Sequence, residues 1–589
     1  MINKKVLLPV LLLLFALLIA PLAQGWYMPL DEVKEGMTGY GRTVFKGTEV
    51  ESFPVEIKGI IQQGYNQKLI LIKAGGDKIE EIGGVASGMS GSPVYLDDKV
   101  IGAIAYGWTL SDHRIALVTP IEAMQRIWDE KEYWAMEEPD LSAYPDLEAI
   151  PVKTPLFASG LSGRAADLLQ EGMKDYDIKV MSGPAARTDG EPVTLKPGSA
   201  VAVDLMRGDM GAGFVGTITY RNANQVLAFG HPIFHQGAVD LFMSDAYVHE
   251  IIPSLNFPFK LASSQELKGR IGQDREAGIS GQVGEYPKLI PVNVSVKDTD
   301  RGVTNRASFQ VVQHEGLLNS LVASASLQIL DETLDRIGVG TARAKIEITG
   351  KPLPDNNLTR ENLYFSGSDI AISALFELQQ LLFLLTANPY QKIDLYNIRF
   401  QVEVDQSNTM AYLQRVELDD NPVFPGDEVT ATVILRPYRA DLIKKEITFT
   451  IPEDIPPGRA SIVVSGGPPW QPPIPEEDEE MVYPYEDFQN MLQSFIDRPR
   501  NNQLVVEIYP AYTFPRHYAE PEEPEEENGL EGEEGAQPEE VLPPEPEEVE
   551  MREIIDTEYY LDGIWSGEIE IQEPEEIEDP EDDEGFSQE

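Results

Sequence analysis

Between two apolar segments the chain reads Gly88-Met89-Ser90-Gly91-Ser92-Pro93, a run that can continue neither a strand nor a helix. Glycine adopts backbone conformations closed to other residues, and proline offers no N–H to a ladder. The run therefore demands a tight turn, with a serine hydroxyl held between two glycines where it has little to pack against. Downstream, Val94-Tyr95-Leu96, Asp97-Asp98 and Val100 to Trp108 read as strand, turn and strand. The expected local fold is a hydroxyl presented on a turn that opens a β-hairpin. The backbone N–H groups of Gly88 and Ser90 are candidates for an oxyanion hole.

A serine is a weak nucleophile unless a base takes its proton. The chain has six histidines, and His231 is set apart by its context, Val226-Leu227-Ala228-Phe229-Gly230-His231-Pro232. An apolar strand ends at a glycine and delivers an imidazole at a strand–loop junction, a usual place for catalytic groups. His231 and His235 stand four apart with His249 nearby, which raises a zinc site. Two histidines so spaced share a face only on a helix, and Pro232 and Gly237 argue for a loop. No metal or other cofactor is expected.

The serine motif and its hairpin resemble the nucleophile loop of chymotrypsin-like serine peptidases. They are more similar to the SpoIVB sporulation peptidase family, whose motif is Gly-Met-Ser-Gly-Ser-Pro. The Ala228-Phe229-Gly230-His231 setting resembles the Ala-x-Gly-His of that family's general base. The glycine-rich stretch Gly272 to Gly281 resembles a further family segment, so the likeness spans roughly residues 28 to 295. It implies Ser90 as nucleophile and His231 as general base. Asp77, thirteen residues before Ser90, is the nearest match to the family's acid. Asp204, Asp209, Asp240 and Asp245 compete for that role, and a Ser–His dyad is the other option. In the family the histidine precedes the serine, whereas here it follows. The same geometry recurs in several chain orders, so the reversal implies a rearranged or permuted barrel. No PDZ-like segment is found ahead of the serine motif.

Lys4 and Lys5, the apolar run Val6 to Ala20, and small residues at Ala23 and Gly25 form a secretory signal with cleavage expected before Trp26. The run is short for a spanning helix, so an uncleaved anchor is the lesser option. The chain contains no cysteine, which excludes disulfides and fits a secreted, periplasmic or cell-envelope protein. The net charge of −53 argues against nucleic acid, which needs a cationic surface. Protein or peptide substrates, the chain itself and membrane proteins among them, are the expected partners.

The expected fold class is mainly β with α/β additions. Residues 1–25 form the signal peptide, and 26–305 a chymotrypsin-like β-barrel peptidase unit with permuted motif order. Residues 306–396 read as an α/β module and 397–515 as an Ig-like β-sandwich with a Pro-rich insertion. Residues 516–589 read as a disordered acidic tail. From Glu520 onward that tail carries about thirty of the net negative charges, and its apolar island Ile554 to Ile571 reads as an incidental patch or an added strand. Two functions fit: a serine endopeptidase of limited, regulatory scope, or a catalytically inactive envelope protein that binds other proteins through a peptidase-like fold and the sandwich.

Overall fold

Short alternating apolar segments separated by glycine turns give six strands early in the chain: β1 (Thr38–Val44), β2 (Val50–Gln63), β3 (Gln67–Ala74), β4 (Pro93–Leu96), β5 (Lys99–Gly107) and β6 (Ile115–Pro120). The structure is a computed structural model that describes residues 25–63, 67–128, 149–186, 193–467, 485–510 and 551–573. The strands pair in the order β4-β1-β2-β3-β6-β5, and the β4–β5 hairpin closes them into a six-stranded barrel. Val44, Phe53, Val55, Ile57, Ile70, Ile72, Val94, Ile104 and Val118 fill its core, every one of them buried.

β7 (Ile150–Pro151) runs antiparallel to the end of β5, and β8 (Leu156–Ser159) and β9 (Val180–Ser182) lead into a second sheet. There, β10 (Ala200–Gly208), β11 (Gly211–Asn222), β12 (Gln225–Ala228), β13 (Gly237–Ile252), β14 (Phe259–Arg275) and β15 (Gly278–Val283) follow one another. Their pairing order, β10-β13-β14-β15-β12-β11, is closed by β10 on β11, which makes a second ring of six. The serine motif thus belongs to the first barrel and His231 to the second. The mainly β fold class expected from the sequence is present, with the two motifs in reversed order.

The second sheet does not stop at the barrel. β16 (Leu289–Asp298), β17 (Val303–Val312), β18 (Gly340–Lys351), β19 (Asn357–Ser366) and β20 (Asp394–Asp405) extend it through the β17–β10 pair. Helices Leu318–Leu334 and Ile370–Thr386 share one apolar core with these strands and with the barrel. Residues 306–396 are therefore continuous with the second barrel. The segment Ile398 to Val404, expected to open the β-sandwich, pairs with β16 and β18 instead. Alternation identifies a strand but not the sheet it joins.

Two four-stranded sheets follow, built from β21 (Met410–Leu418), β22 (Glu428–Pro437), β23 (Ile443–Thr450), β24 (Gly458–Gly466) and β25 (Gln503–Pro510), with β26 (Met551–Asp556), β27 (Tyr560–Asp562) and β28 (Ile564–Ile571). The last three strands lie inside the stretch expected to be a disordered tail. β28 pairs with β24 along Gly458 to Ser465, and Leu561, Ile569 and Ile571 are buried in the shared core. The apolar island thus adds strands to its own chain, because its alternating side chains complete a core that β21–β25 leave open. The amphipathic helix Phe488–Ile496 turns back to the main body, where Arg360 donates to the Ile496 and Arg498 carbonyls. All but the last residue of the signal peptide expected over 1–25, and most of the acidic tail, lie outside the described residues. Among the described residues no helix is long and apolar enough to cross a membrane.

Candidate active site

The turn expected around Ser90 is present. Met89 N–H donates to Ala86 O and Ser92 N–H to Met89 O, both at 2.9 Å, while Gly88 and Gly91 hold φ of +90° and +88°. Gly91 is required twice over. Its φ lies where other residues are strained, and a Cβ there would sit 2.0 Å from Thr217 O and 2.5 Å from Phe229 N. Gly91 N–H donates to Ile104 O at 2.7 Å, which pins the turn to β5. Ser90 is fully buried, and its Oγ has no hydrogen-bond partner. Ser92 Oγ is likewise buried and unpartnered, and Ser92 O accepts Ile104 N–H within the hairpin.

The second barrel supplies the other wall. Thr217 N–H donates to Ser90 O at 2.8 Å, Thr217 Oγ1 to Gly88 O at 3.0 Å, and Thr219 Oγ1 to Gly91 O at 2.8 Å. Phe229 N–H donates to Thr217 O at 3.3 Å, so the histidine segment, leaving β12, is hydrogen-bonded to the strand that grips the serine turn. Gly230, at φ +74°, lets the chain press onto β5, where a Cβ would meet those of Ala103 and Ala105 at 3.2 and 3.3 Å. Thr119 Oγ1 donates to Gly230 O at 2.7 Å.

His231 is fully buried, and its Nδ1 lies 2.8 Å from Pro232 O. A carbonyl only accepts, so Nδ1 carries the proton and Nε2 keeps its lone pair, the tautomer a general base needs. Nε2 has no partner. Burial pushes the imidazole down to about 4; the Pro232 contact opposes that shift, and the nearby Lys153 charge adds to it. The two loops therefore share Thr217, Phe229 and β5, and each ends in a buried polar atom with nothing bonded to it. Ser90 Oγ and Nε2 are not hydrogen-bonded to each other in this conformation.

Asp77 is not brought to His231. It lies exposed in the first turn of helix Asp77–Glu81, beyond Gly76, whose surroundings are Pro54 on β2. The competing acids are engaged elsewhere. Asp204 accepts the Ser244 and Ser264 hydroxyls, Asp245 the Val193 and Glu266 N–H groups, Asp240 the Lys288 N–H, and Asp209 the Ser308 N–H. His235 Nε2 is 3.6 Å from Glu276, and His249 Nε2 is 2.7 Å from Ser263 Oγ.

Two buried charged neighbours of the motifs escaped the sequence reading. Asp274, fully buried on β14, accepts the N–H groups of Ile233, Phe234 and His235 at 2.7–2.9 Å and so fixes the loop after His231. Burial raises its carboxyl, and the three donors oppose that rise. Asp274 lies in the glycine-rich stretch noted from the sequence, but nothing local reveals its bonds to residues forty positions away. Lys260, also fully buried, runs alongside Gly88 and donates to Thr43 Oγ1 at 2.8 Å and Thr217 Oγ1 at 3.3 Å. Burial alone pushes its ammonium down to about 7. The signal was available: Lys260 shares the inward parity of Ala262 on β14. Of the two candidate oxyanion donors, Gly88 N–H is held by Val152 O at 3.1 Å, while Ser90 N–H makes no backbone bond in the turn.

The family model of SpoIVB peptidase S55 matches residues 28–124. This is a match to a serine peptidase family. It spans the whole first barrel and the Ser90 turn, and it ends before His231. No curated protein and no solved structure matches the chain.

Proposed function

We propose that the chain is a secreted or envelope serine endopeptidase in which Ser90 attacks a peptide carbonyl and His231 is the general base. The observation that carries this reading is the convergence of two loops from two barrels, each presenting a buried, unbonded polar atom, Ser90 Oγ and His231 Nε2. A buried polar atom left without a partner costs about 1–3 kcal/mol, and here two such atoms stand on adjoining loops that are hydrogen-bonded to the same strand. A pair of them beside a glycine turn supports a reacting site.

Ser90 Oγ passes its proton to Nε2 as it adds to the carbonyl carbon, and the oxyanion is held by the Ser90 and Gly88 N–H groups. The imidazolium returns the proton to the leaving amine, and water hydrolyses the acyl-enzyme by the reverse sequence. Pro232 O does the orienting that an aspartate does elsewhere, without its charge. Loss of the acid's function costs roughly 10⁴ in kcat in triad enzymes, so a slow peptidase acting on few protein targets fits this site. The test is labelling by a fluorophosphonate probe of the intact protein, Ser90→Ala and His231→Ala. Labelling that requires both residues supports the reading. Labelling that persists in Ser90→Ala, or that never occurs, moves the chain to the protein-binding alternative.

A further inference from the structure

The donor proposed for the oxyanion is already in use, and what occupies it is instructive. Val152 O accepts Gly88 N–H at 3.1 Å, and Val152 N–H donates to Ala105 O on β5 at 2.8 Å. Behind it, Pro151 pairs with Tyr106 and Ile150 with Gly107, antiparallel. An extended segment is thus laid along the strand that follows the nucleophile turn, with one carbonyl delivered to the oxyanion donor two residues before Ser90. That is the placement of the acyl half of a peptide substrate, added as a strand to a sheet edge.

The side chains agree. Val152 is fully buried, and a Cβ on Gly107 would sit 3.6 Å from Val152 Cγ2 and 2.8 Å from Phe257 Cζ. Gly107 and Phe257 therefore shape a small slot that a β-branched residue fills. Lys153 follows on the leaving-group side, near enough to His231 for its charge to lower the imidazole. Thr154 anchors the segment to β11 by Oγ1 bonds with both Val215 N and Val215 O.

We propose that Ile150–Lys153 is a tethered pseudosubstrate filling the peptidase's own groove along β5, and that the groove takes extended chains with a small β-branched residue just before the bond to be cut. This rests on the assignment of Ser90 and Gly88 above. A tethered segment competes at an effective concentration on the order of millimolar, so the intact chain turns over slowly until the segment leaves.

The experiment compares fluorophosphonate labelling rates of the intact chain and the Ile150→Gly/Pro151→Gly variant, with thermal unfolding as the check on folding. The variant should label about tenfold faster or more, and the peptide acetyl-Ile-Pro-Val should slow it again while acetyl-Ile-Pro-Phe should not. Should the double variant fail to fold, Val152→Gly, which keeps the backbone and empties the slot, reads the same quantity. Cleavage between Val152 and Lys153 that disappears in Ser90→Ala also supports the register. A folded variant that labels no faster than the intact chain, or equal competition by both peptides, overturns the pseudosubstrate. Folded proteins of which none labels overturn the hydrolase reading beneath it.

Discussion

The backbone N–H of Thr217 donates to the carbonyl of Ser90 across 2.8 Å, a bond from the second barrel to the serine turn of the first. The Thr217 hydroxyl adds a bond to Gly88 O and receives one from Lys260 Nζ. The turn is thus shaped as much by β11 as by its own sequence. Thr217→Val keeps the volume and the backbone bond but removes the hydroxyl, leaving Gly88 O and one ammonium proton without that partner. Chemical denaturation should show a loss of about 1–3 kcal/mol, and probe labelling should slow with it.

With His231 as the proposed base, activity and stability should depend on pH in separable ways. The imidazole's folded-state value of about 4 lies below its ordinary value of 6.5. As a base it is neutral down to about pH 5, so kcat/KM should stay flat from neutrality to that point and fall through pH 4. The unfolded chain binds the proton first as pH drops below 6.5. Stability is therefore fullest above that value and declines as pH falls towards 4, by about 3 kcal/mol in all. His231→Gln should remove this share of the acid slope in urea titrations at pH 7 and pH 4.5. An unchanged slope would mean that the imidazole is not buried in solution.

Asp274 holds the loop after His231 by accepting three successive N–H groups, so in the proposed reaction it is a positioning residue. Asp274→Asn keeps one acceptor oxygen and turns the other into a donor facing donors. The expected outcome is a tenfold or greater fall in kcat with little change in KM. The lower limb of the pH–rate profile should move up towards 6.5 as the loop opens to water. A purely structural role would lower the melting temperature and leave that limb in place.

How much of this was legible follows from how local each feature is. The Ser90 turn, the hairpin after it and the apolar strand that leads to the Gly230-His231 turn are written in adjacent residues, and all three are present. That the two motifs meet was suggested only by likeness to a family, since residues 91 and 229 touch through a closure that no periodicity encodes. The sheet to which Ile398–Val404 belongs, and the use of Ile564–Ile571 as a strand of the C-terminal sheets, depend on which partner edge is free. Asp77 rests only on likeness to the position of the family's acid. In the structure Gly76 turns that segment out over Pro54, and the carboxylate faces solvent.

Asp77→Asn should accordingly leave the labelling rate within about twofold of the intact protein, because no imidazole depends on that exposed carboxylate. A large loss would require a conformation in which helix Asp77–Glu81 reaches the second barrel.

Lys260 gives the sharpest contrast, because its burial works against the fold at neutral pH. Its folded value of about 7 lies far below its ordinary value of 10.5. Between these values the unfolded chain holds a proton that the folded one has released. Stability should therefore rise as pH climbs from 7 to 10.5, by an amount approaching 5 kcal/mol. Lys260→Met keeps the length of the side chain and removes the charge. It should abolish that rise and leave the protein at least as stable at pH 7, despite the lost bonds to Thr43 and Thr217. A variant that is less stable at pH 7 and still gains stability up to pH 10 would show that another group carries the titration. If Lys260→Met is stable yet labels more slowly, the ammonium beside Gly88 contributes to the site and not only to the core.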